Sequence, residues 1–443
     1  MRRLAPLLAA LLWLQAAPPA PASRFPNVVL VTVDTLRADR VSSYGYSRPT
    51  TPNIDRLLAR GVRFAQARTV EPLTTPALAS LLTSRYPHEH GSTRNGMRLR
   101  AGLPALAGVL GQRGFKTAAF VGNWTLRDAI SGLGEHFQTY RQIASRKRWL
   151  VVKGEATGDD LTAAALDWLE KARRESPDRP FLLWVHYVEP HAPYRTQAQF
   201  TGALGYGGRR DLAPAERYDT EVAFADHAIG ELLAGVDKIT HGEDTIVAVA
   251  GDHGESLGEH GYWGHGRHLY ENNLRVPMGI AWEGKLQPAV VAAPATLLDL
   301  APTVLGLVGY PALRDARGFD WTPVLQDRAP PPHRVAYFQA HKGAVQSVED
   351  ARRARRRGLL EVGLLVGNRK ETLRLRGGEH WLVDVAHDPG DKRNLADRRA
   401  GASAALRSWQ HLVEQGLVSA DQLPPPTLDK ETEEQLRALG YTD

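Results

Sequence analysis

The stretch Thr245-Ile-Val-Ala-Val-Ala-Gly-Asp-His-Gly-Glu255 decides the fold of this chain of 443 residues. Its first six residues form an apolar run with the length and composition of a buried strand, and the glycines that follow loosen the chain into a loop. Asp252 and His253 stand at that strand end. Ligand-binding groups of α/β sheets gather at the carboxyl ends of the strands. The pattern therefore favours an α/β sheet that delivers two adjacent metal ligands to one edge.

A second apolar run, Asn27-Val-Val-Leu-Val-Thr-Val33, ends in the same way, with Asp34 directly after it. Two strand ends that lie far apart in sequence thus both present acidic ligand groups. Carboxylate oxygens and imidazole nitrogens are common ligands of divalent metals in proteins. Asp34, Asp252 and His253 are therefore predicted to bind one ion, and the pairing suggests a metallohydrolase.

Apolar runs alternate with amphipathic helical patterns as far as about residue 310, which predicts an α/β fold with a doubly wound, mostly parallel sheet flanked by helices. The predicted strands are Asn27–Val33, Phe115–Val121, Pro180–Tyr187, Thr245–Ala250 and Pro277–Trp282. Residues 25–326 are predicted to form the catalytic domain. After a stiff proline-rich linker at 327–332, short strand patterns and one helical pattern predict a smaller C-terminal α+β subdomain at 333–443.

Residues 1–22 have the pattern of a signal peptide. Residues 1–3 are basic, residues 4–17 form a short apolar run, and residues 20–22 are small enough for a cleavage site. An uncleaved anchor is the weaker alternative because prolines interrupt and end the apolar helix. We therefore expect a secreted or periplasmic protein without a multispan membrane domain. The absence of cysteine excludes disulfides and thiolate metal sites.

The chain carries a formal net charge of +6 at pH 7. Part of this charge lies in a basic run, Arg352-Arg353 and Arg355-Arg356-Arg357. No aromatic residue interleaves the run, so we interpret it as a solvated helix face or loop. No nucleic-acid partner is expected.

The segment Pro72-Leu-Thr-Thr-Pro-Ala-Leu-Ala-Ser-Leu-Leu-Thr83 begins a predicted helix. Pro76 is placed at the first helical position and Thr75 at the N-cap, with Thr74 just outside. Thr74 would then face the unpaired amides and the positive end of the helix dipole, where developing negative charge is stabilised. Its hydroxyl could bind the metal, lose its proton and attack phosphorus or sulfur. Most Thr-Thr-Pro segments are simple caps, and only the predicted metal site makes Thr74 the favoured nucleophile.

Six stretches resemble, in the same order, the motifs of the sulfatase-like branch of the alkaline phosphatase superfamily. They are Asn27–Asp39 (NVVLVTVDTLRAD), Thr74–Pro87 (TTPALASLLTSRYP), His186–Tyr194 (HYVEPHAPY), Gly251–Pro277 (GDHGESLGEHGYWGHGRHLYENNLRVP), Asp299–Gly306 (DLAPTVLG) and Asp388–Ala396 (DPGDKRNLA). The resemblance covers nearly the whole chain. It implies an alkaline-phosphatase-like α/β catalytic domain with a C-terminal subdomain, and metal-dependent hydrolysis or transfer at a phosphate or sulfate ester. The substrate would be a small-molecule, glycan or lipid ester.

The chain departs from this family at the nucleophile and at the metal. Sulfatases have Cys or Ser at the Thr74 position, followed by x-Pro-x-Arg, and oxidise it to formylglycine. Here the Arg position is Leu78, and the extra methyl group of threonine excludes formylglycine. Calcium-type sulfatases have Asp at Thr35 and Asn at His253, and an imidazole in place of an oxygen ligand favours Zn²⁺ or Mn²⁺ over Ca²⁺. Threonine nucleophiles with such ligands are found in the phosphodiesterase and phosphoethanolamine-transferase relatives, which favours phosphoester chemistry.

The resemblance also implies a second half of the site. His191 and His265 stand where the family binds the oxygens of the transferred group and the leaving group, and sulfatases usually have Lys at position 265. A neutral imidazole can bind a metal and an ammonium group cannot, so these histidines could hold a second ion, with Glu189 as an additional candidate ligand. They could equally be surface or capping histidines. One or two ions are therefore expected.

Asn95 and His90 are further candidates. Asn95, in Arg94-Asn-Gly96, has the spacing of a phosphate-binding asparagine of the phosphodiesterase branch, although Asn-Gly is also ordinary turn chemistry. His90 resembles a sulfatase histidine that orients the nucleophile or its oxygens, and the alternative is that it packs below the site. The loop that follows Asp252 and His253, residues 254–266, is called the metal loop below. Three of its residues are predicted to fix the orientation of the metal ligands, namely Glu255, Glu259 and His260.

These patterns predict a metal-dependent hydrolase of phosphate or phosphonate esters that forms a covalent intermediate on Thr74. Three alternatives stay open: a sulfuric ester hydrolase without formylglycine, a phosphoryl-head-group transferase, and an inactive homologue that binds anionic glycans. Loss of formylglycine and its arginine favours the inactive homologue. Retention of all the candidate ligands argues against it, because a binding module has no need of the whole set.

Overall fold

The computed structural model describes residues 25–149, 152–155, 157–343, 358–397 and 401–420. The predicted signal peptide and the basic run at 352–357 lie outside these ranges. Within them, no helix combines the length and the hydropathy that a bilayer crossing requires.

The described strands, in chain order, are β1 (Asn27–Val33), β2 (Val62–Arg68), β3 (Lys116–Val121), β4 (Thr139–Gln142), β5 (Ala144–Trp149), β6 (Val152–Glu155), β7 (Phe181–Tyr187), β8 (Thr245–Gly251), β9 (Ser256–Leu257), β10 (Trp263–Gly264), β11 (Met278–Trp282), β12 (Ala289–Thr296), β13 (Val335–His341), β14 (Leu359–Val366), β15 (Arg369–Arg374) and β16 (Glu379–Asp384). The described α-helices are α1 (Pro52–Arg60), α2 (Thr74–Thr83), α3 (Pro87–His90), α4 (Leu106–Gln112), α5 (Asp128–Ser131), α6 (Gly158–Glu175), α7 (Pro214–Thr240), α8 (Glu271–Leu274), α9 (Leu300–Val308), α10 (Thr322–Gln326) and α11 (Ala404–Ala420).

Eight strands form the central sheet, in the order β12-β2-β11-β8-β1-β7-β3-β4. β1 lies in the middle and is parallel to both of its neighbours, β7 and β8. β3 is likewise parallel to β7 and β4, whereas β11 is antiparallel to β8 and β2. The predicted doubly wound, mostly parallel sheet is confirmed.

β1 is buried over its whole length because helices cover both faces of the sheet. Val28 and Leu30 pack with α2, α4 and α9, and Val29 and Val31 pack with α1, α6 and α7 on the opposite face. Successive side chains of a strand point to opposite faces, so a strand covered on both faces must be apolar throughout. This is why the central strands could be recognised as uninterrupted apolar runs.

The C-terminal sheet contains β13 to β16, each antiparallel to the next. Helix α11 covers one face of it through Leu406, Trp409 and Val413. The other face packs on Leu269 and Leu274, which follow the metal loop in sequence. This sheet and its helix form the smaller α+β subdomain that the sequence predicts, while the exact domain boundaries stay a prediction.

A buried ionic network joins the two sheets. Lys370 of β15 lies 2.7 Å from Asp391 and 3.3 Å from Glu271, and Arg68 of β2 lies 2.7 Å from Glu271. Each of these side chains is at most 4% exposed. Removing one partner of a buried ion pair leaves an uncompensated charge, so the network is expected to fix the C-terminal sheet against the main one.

Candidate active site

The central sheet brings Asp34 and Asp252 to one edge. Val33, the last residue of β1, is in register with Gly251, the last residue of β8, and the two strands run in the same direction. The aspartates follow these residues directly and therefore lie side by side at the carboxyl edge of the sheet. Both are fully buried.

Asp34, Asp252 and His253 form one compact group. Their ligand atoms all lie within 4.8 Å of one another, with His253 Nε2 at 3.7 Å from Asp34 Oδ1 and 3.6 Å from Asp252 Oδ2. These two carboxyl oxygens are buried and have no hydrogen-bond partner within the described part of the chain. The structure thus brings the three candidate ligands together at distances that small movements can close onto a common ion.

The backbone places the proton on His253. Its Nδ1 lies 2.9 Å from the carbonyl oxygen of Gly254, and because a carbonyl only accepts, Nδ1 carries the hydrogen. Nε2 therefore presents its lone pair to the two carboxyl groups, as a metal ligand must. Burial, together with the charge of His265, lowers the pKa of His253 well below its ordinary value, which keeps the imidazole neutral.

The two carboxyl groups repel each other. Burial and the negative charge of Asp34 raise the pKa of Asp252 well above its ordinary value. The backbone N–H groups of Thr35 and His253 donate to Asp252 Oδ1 at 3.0 and 2.7 Å, so Oδ2 is the oxygen left to face His253. A divalent cation at this position would remove the repulsion between the carboxyl groups.

Thr74 is the first residue of α2 and is fully buried. Its Oγ1 lies 3.4 Å from His253 Nε2, beside the two carboxyl groups. The helix begins at Thr74 rather than at Pro76, because the carbonyl oxygen of Leu73 already accepts the N–H of Ala77 at 2.9 Å. The predicted start at Pro76 is therefore wrong, and Thr74 lies inside the first turn instead of just outside it.

Thr75 is not the N-cap that the sequence predicts, since Leu73 occupies that position. The Thr75 hydroxyl donates instead to the carbonyl oxygen of Thr125 at 3.1 Å, and its backbone N–H donates to Asn95 Oδ1 at 3.0 Å. Asn95 is fully buried, and its Nδ2 has no hydrogen-bond partner among the described residues. Asn95 thus contacts the first turn of α2, and its Nδ2 could donate hydrogen bonds to a ligand.

His191 and His265 lie on the same side of the site. Their ring centroids are 5.3 Å apart, and the ring of His265 is 4.4 Å from that of His253. Glu255 Oε1 contacts His265 Nδ1 at 3.1 Å, and its predicted part in orienting a metal ligand stays a prediction. Glu189 accepts the backbone N–H of Gly158 at 3.2 Å. The structure therefore brings the two histidines close to Asp34, Asp252 and His253, which are together called the metal group below.

His90 lies below α2. Its Nε2 is 3.0 Å from Ser80 Oγ and its Nδ1 accepts the backbone N–H of Ser92 at 3.2 Å. Burial lowers the pKa of His90 to about 3. These contacts correspond to the packing alternative rather than to a contact with the nucleophile.

Glu259 and His260 make contacts away from the metal group. Glu259 lies 2.7 Å from Arg37, and the ring of His260 stacks on Tyr270 with centroids 3.9 Å apart. They fix the shape of the loop rather than the orientation of a metal ligand.

Three further residues lie at the site, and the sequence pointed to only one of them, Thr35, as a departure from the calcium-type sulfatases. Asn123, after β3, donates through Nδ2 to Asp34 Oδ2 and accepts the N–H of Thr125 at 2.8 Å. His186 of β7 has Nε2 at 3.7 Å from the same Asp34 oxygen. Thr35 adopts φ +56°, unusual for a β-branched residue, and its hydroxyl is buried without a partner within the described residues. Their common signal is position, because each lies in a strand of the central sheet or two residues after its end.

Comparison with known proteins agrees with this fold. The family model described as Sulfatase matches residues 26–310. The chain is 26% identical over 427 residues to the steryl-sulfatase of Mus musculus, covering 71% of this chain and 67% of that protein. It is 24% identical over 442 residues to the N-acetylglucosamine-6-O-sulfatase of Bacteroides thetaiotaomicron, covering 76% of this chain and 78% of the relative. The solved phosphonate monoester hydrolase of Agrobacterium radiobacter shares the fold, with a TM-score of 0.64 and 19% identity over 92% of this chain and 99% of that chain.

The matched region spans more than half of the sequence and contains the strands that precede Asp34 and Asp252, the helix that begins at Thr74 and the loop that follows Asp252. It confirms the resemblance inferred from the motifs and the expectation of a sulfatase-like ester hydrolase. The chain belongs to the sulfatase family.

Proposed function

We propose that the protein is a metal-dependent ester hydrolase in which Thr74 is the nucleophile and carries the transferred group in a covalent intermediate. The observation that supports this most directly is the distance of 3.4 Å between Thr74 Oγ1 and His253 Nε2. A buried hydroxyl beside three candidate metal ligands is the arrangement that a metal-activated nucleophile requires.

The donor atoms of the group fit a divalent cation. Asp34 Oδ1 and Asp252 Oδ2 are buried and unpartnered within the described residues, which is costly in a protein interior unless an ion or water binds them. Asp34, Asp252, His253 and Thr74 would hold the ion, and the imidazole ligand favours Zn²⁺ or Mn²⁺ over Ca²⁺. When bound, the ion would stabilise the ionised Thr74 hydroxyl and polarise the ester.

A single ion is favoured over two. Among the described residues, no second set of three His, Asp or Glu side chains has its ligand atoms as close together. His191 and His265 lie next to this set with their rings 5.3 Å apart. We therefore assign to them the protonation of the leaving oxygen rather than the binding of a second ion.

The chemistry then follows from the positions of the side chains. Thr74 Oγ1 gives up its proton to solvent water and bonds to phosphorus or sulfur while the bond from that atom to the ester oxygen breaks. The leaving oxygen takes a proton from His191 or His265, and solvent returns a proton to that histidine. Water then breaks the bond between Thr74 and the transferred group, releasing the acid and restoring the hydroxyl. Asn95 Nδ2 would donate to a non-bridging oxygen, where negative charge builds up.

Phosphate and phosphonate esters are the proposed substrates. A formylglycine hydrate can expel sulfate, whereas a sulfated threonine would need attack of water at sulfur. Hydrolysis of a phosphorylated threonine by water would be easier in a site that holds a metal ion. Leu78 and His265 stand where sulfatases have Arg and Lys, so the site carries less positive charge. Esters with one negative charge, such as phosphodiesters and phosphonate monoesters, are therefore favoured over phosphate monoesters. The shared fold with a phosphonate monoester hydrolase is compatible with this choice.

A sulfuric ester is the second candidate, favoured by the family and by relatives whose names state sulfatase activity. In either case we propose a small-molecule, glycan or lipid ester as substrate. A secreted or periplasmic location is proposed from the predicted signal peptide.

The test is a panel of 4-nitrophenyl esters with the purified protein: the phosphate monoester, the phosphate diester, a phosphonate monoester and the sulfate, each with Zn²⁺, Mn²⁺ or Ca²⁺. We expect the largest kcat/KM for a phosphorus ester with Zn²⁺ or Mn²⁺, and a value at least about 10³-fold lower for the Thr74→Ala variant. A sulfate turned over faster than every phosphorus ester would instead establish a sulfuric ester hydrolase.

Metal content measured on the same samples separates the inactive binding protein from the enzyme. The enzyme should contain Zn²⁺ or Mn²⁺ as purified, and the Asp252→Asn variant should contain much less. Protein that binds no metal and turns over no ester in the panel would contradict the proposal.

A further inference from the structure

A line of four buried side chains runs from the core of the sheet to Asp34. Trp184 Nε1 lies 2.9 Å from Thr32 Oγ1, and Thr32 Oγ1 lies 2.9 Å from His186 Nδ1. His186 Nε2 faces Asp34 Oδ2 at 3.7 Å. All four side chains are fully buried. Thr32 and His186 are register partners on the parallel strands β1 and β7, so the sheet itself sets their contact.

Donor and acceptor chemistry favours one direction for this line, in which the single hydrogen of the Thr32 hydroxyl is also used. The indole N–H of Trp184 can only donate, so Thr32 Oγ1 accepts from it. The hydroxyl hydrogen of Thr32 is then available for His186 Nδ1, the acceptor that lies within hydrogen-bond distance. An Nδ1 that accepts carries no hydrogen, and the neutral imidazole must have its hydrogen on Nε2. His186 thus points an N–H group at Asp34.

The two oxygens of Asp34 therefore have different surroundings. Oδ2 receives the amide of Asn123 and faces the N–H of His186. Oδ1 has no hydrogen-bond partner within the described residues and faces His253 Nε2 at 3.7 Å. A separation of 3.7 Å between Nε2 and Oδ2 is longer than a hydrogen bond, and a shift of the carboxylate of less than an ångström would close it.

We propose that His186 is a positioning residue for the metal: its N–H, set by Thr32 and Trp184, holds Oδ2 of Asp34 so that Oδ1 is presented to the ion. This inference rests on the metal site proposed above. It also means that His186 is not itself a ligand, because the nitrogen that faces the site carries a hydrogen. Side chains that orient a ligand in this way change metal affinity without touching the metal.

The affinity of the metal-free protein for Zn²⁺ and Mn²⁺, measured by competition with a chelator, tests the proposal. His186→Leu removes the donor and is expected to weaken binding by about 10- to 100-fold. His186→Gln keeps an N–H donor and should recover most of that loss. Thr32→Val removes the hydroxyl that fixes the tautomer and should weaken binding by an intermediate factor. Thermal unfolding in the presence of EDTA shows whether each variant keeps its fold.

The outcomes separate this inference from the proposed function. Wild-type protein that binds neither metal would overturn the metal site, and the inference with it. Wild-type binding with an unchanged affinity in His186→Leu would overturn the inference alone. A His186→Gln variant as weak as His186→Leu would mean that the ring is a ligand or a packing element.

Nitrogen NMR of histidine-labelled wild-type protein gives a readout that does not depend on a variant folding well. The signal of His186, assigned by its absence in His186→Gln, should be that of a neutral ring with the hydrogen on Nε2 in the metal-free state. A hydrogen on Nδ1 would contradict the proposal whatever the affinities.

Discussion

Thr74 and Thr75 are adjacent and fully buried, yet their hydroxyl groups face different partners. Thr74 Oγ1 faces His253, and Thr75 Oγ1 donates to the carbonyl oxygen of Thr125. We expect Thr74→Ala to lower kcat by at least about 10³-fold, because the covalent bond to the transferred group is proposed to form on the Thr74 hydroxyl. Thr74→Ser keeps the hydroxyl and should retain part of the activity. Steady-state kinetics on the best ester of the panel measures both effects.

Thr75→Ala is the matched control. It removes one hydrogen bond and should cost about 0.5–1.5 kcal/mol of unfolding free energy while activity is kept. Loss of activity in Thr75→Ala with normal activity in Thr74→Ala would reverse the assignment of the nucleophile.

At this scale the metal group could be predicted because Asp34 and Asp252 directly follow apolar runs, and parallel strands end at the same edge. Asn123 and His186 could not be predicted. Asn123 is a neutral residue whose contact with Asp34 depends on which strands are neighbours. His186 lies inside a strand, and its contacts depend on the register between β1 and β7, which no local pattern determines.

Among the elements, the junction between α2 and α3 should be sensitive to acid. His90 of α3 packs against Ser80 of α2, and burial lowers its pKa to about 3. The unfolded chain takes up this proton near pH 6.5, whereas the folded protein cannot until about pH 3. Protonation therefore favours the unfolded chain below pH 6.5. Burial of the neutral His90 is expected to lower the unfolding free energy by about 2–3 kcal/mol at about pH 4.5.

Urea unfolding at about pH 7 and about pH 4.5 checks this prediction. The His90→Gln variant should lose less stability between the two conditions than the wild type, by the amount given above. Equal losses in the two proteins would mean that other groups account for the acid sensitivity.

The central strands could be predicted from the sequence, whereas strands toward both edges, namely β2, β12 and β4, could not. β1 has the predicted bounds, because burial on both faces requires an uninterrupted apolar run. β2 alternates buried and partly buried residues, and β12 contains exposed residues and Pro294 at a register shift. Neither has the composition of a central strand, so pairing with neighbours rather than local propensity makes them strands.

For the molecule as a whole, Lys370 is a buried cation at the contact between the C-terminal sheet and the main sheet. Lys370→Met would leave Asp391 without its cation and weaken the neutralisation of Glu271. We expect a loss of about 3–5 kcal/mol of unfolding free energy, the usual cost of breaking a buried ion pair from one side. Chemical unfolding measures the loss.

The same substitution on an exposed ion pair is the control. Lys171 pairs with Asp167 one helical turn away and is 56% exposed, so Lys171→Met should leave the stability unchanged. If both variants unfold like the wild type, the buried network does not hold the two sheets together.

The central place of β1 has a consequence for synthesis. β1 is the first described strand to leave the ribosome, yet its partners in the sheet, β7 and β8, begin only at Phe181 and Thr245. Contacts between residues so distant in sequence form late, and an unpaired apolar strand invites aggregation meanwhile. β1 therefore stays unpaired until β7 has been translated, and its second partner, β8, follows only when more than half of the chain has been made. A chain that ends before β8 would have neither a complete sheet nor Asp252 and His253. We expect it to aggregate or be degraded rather than show partial activity.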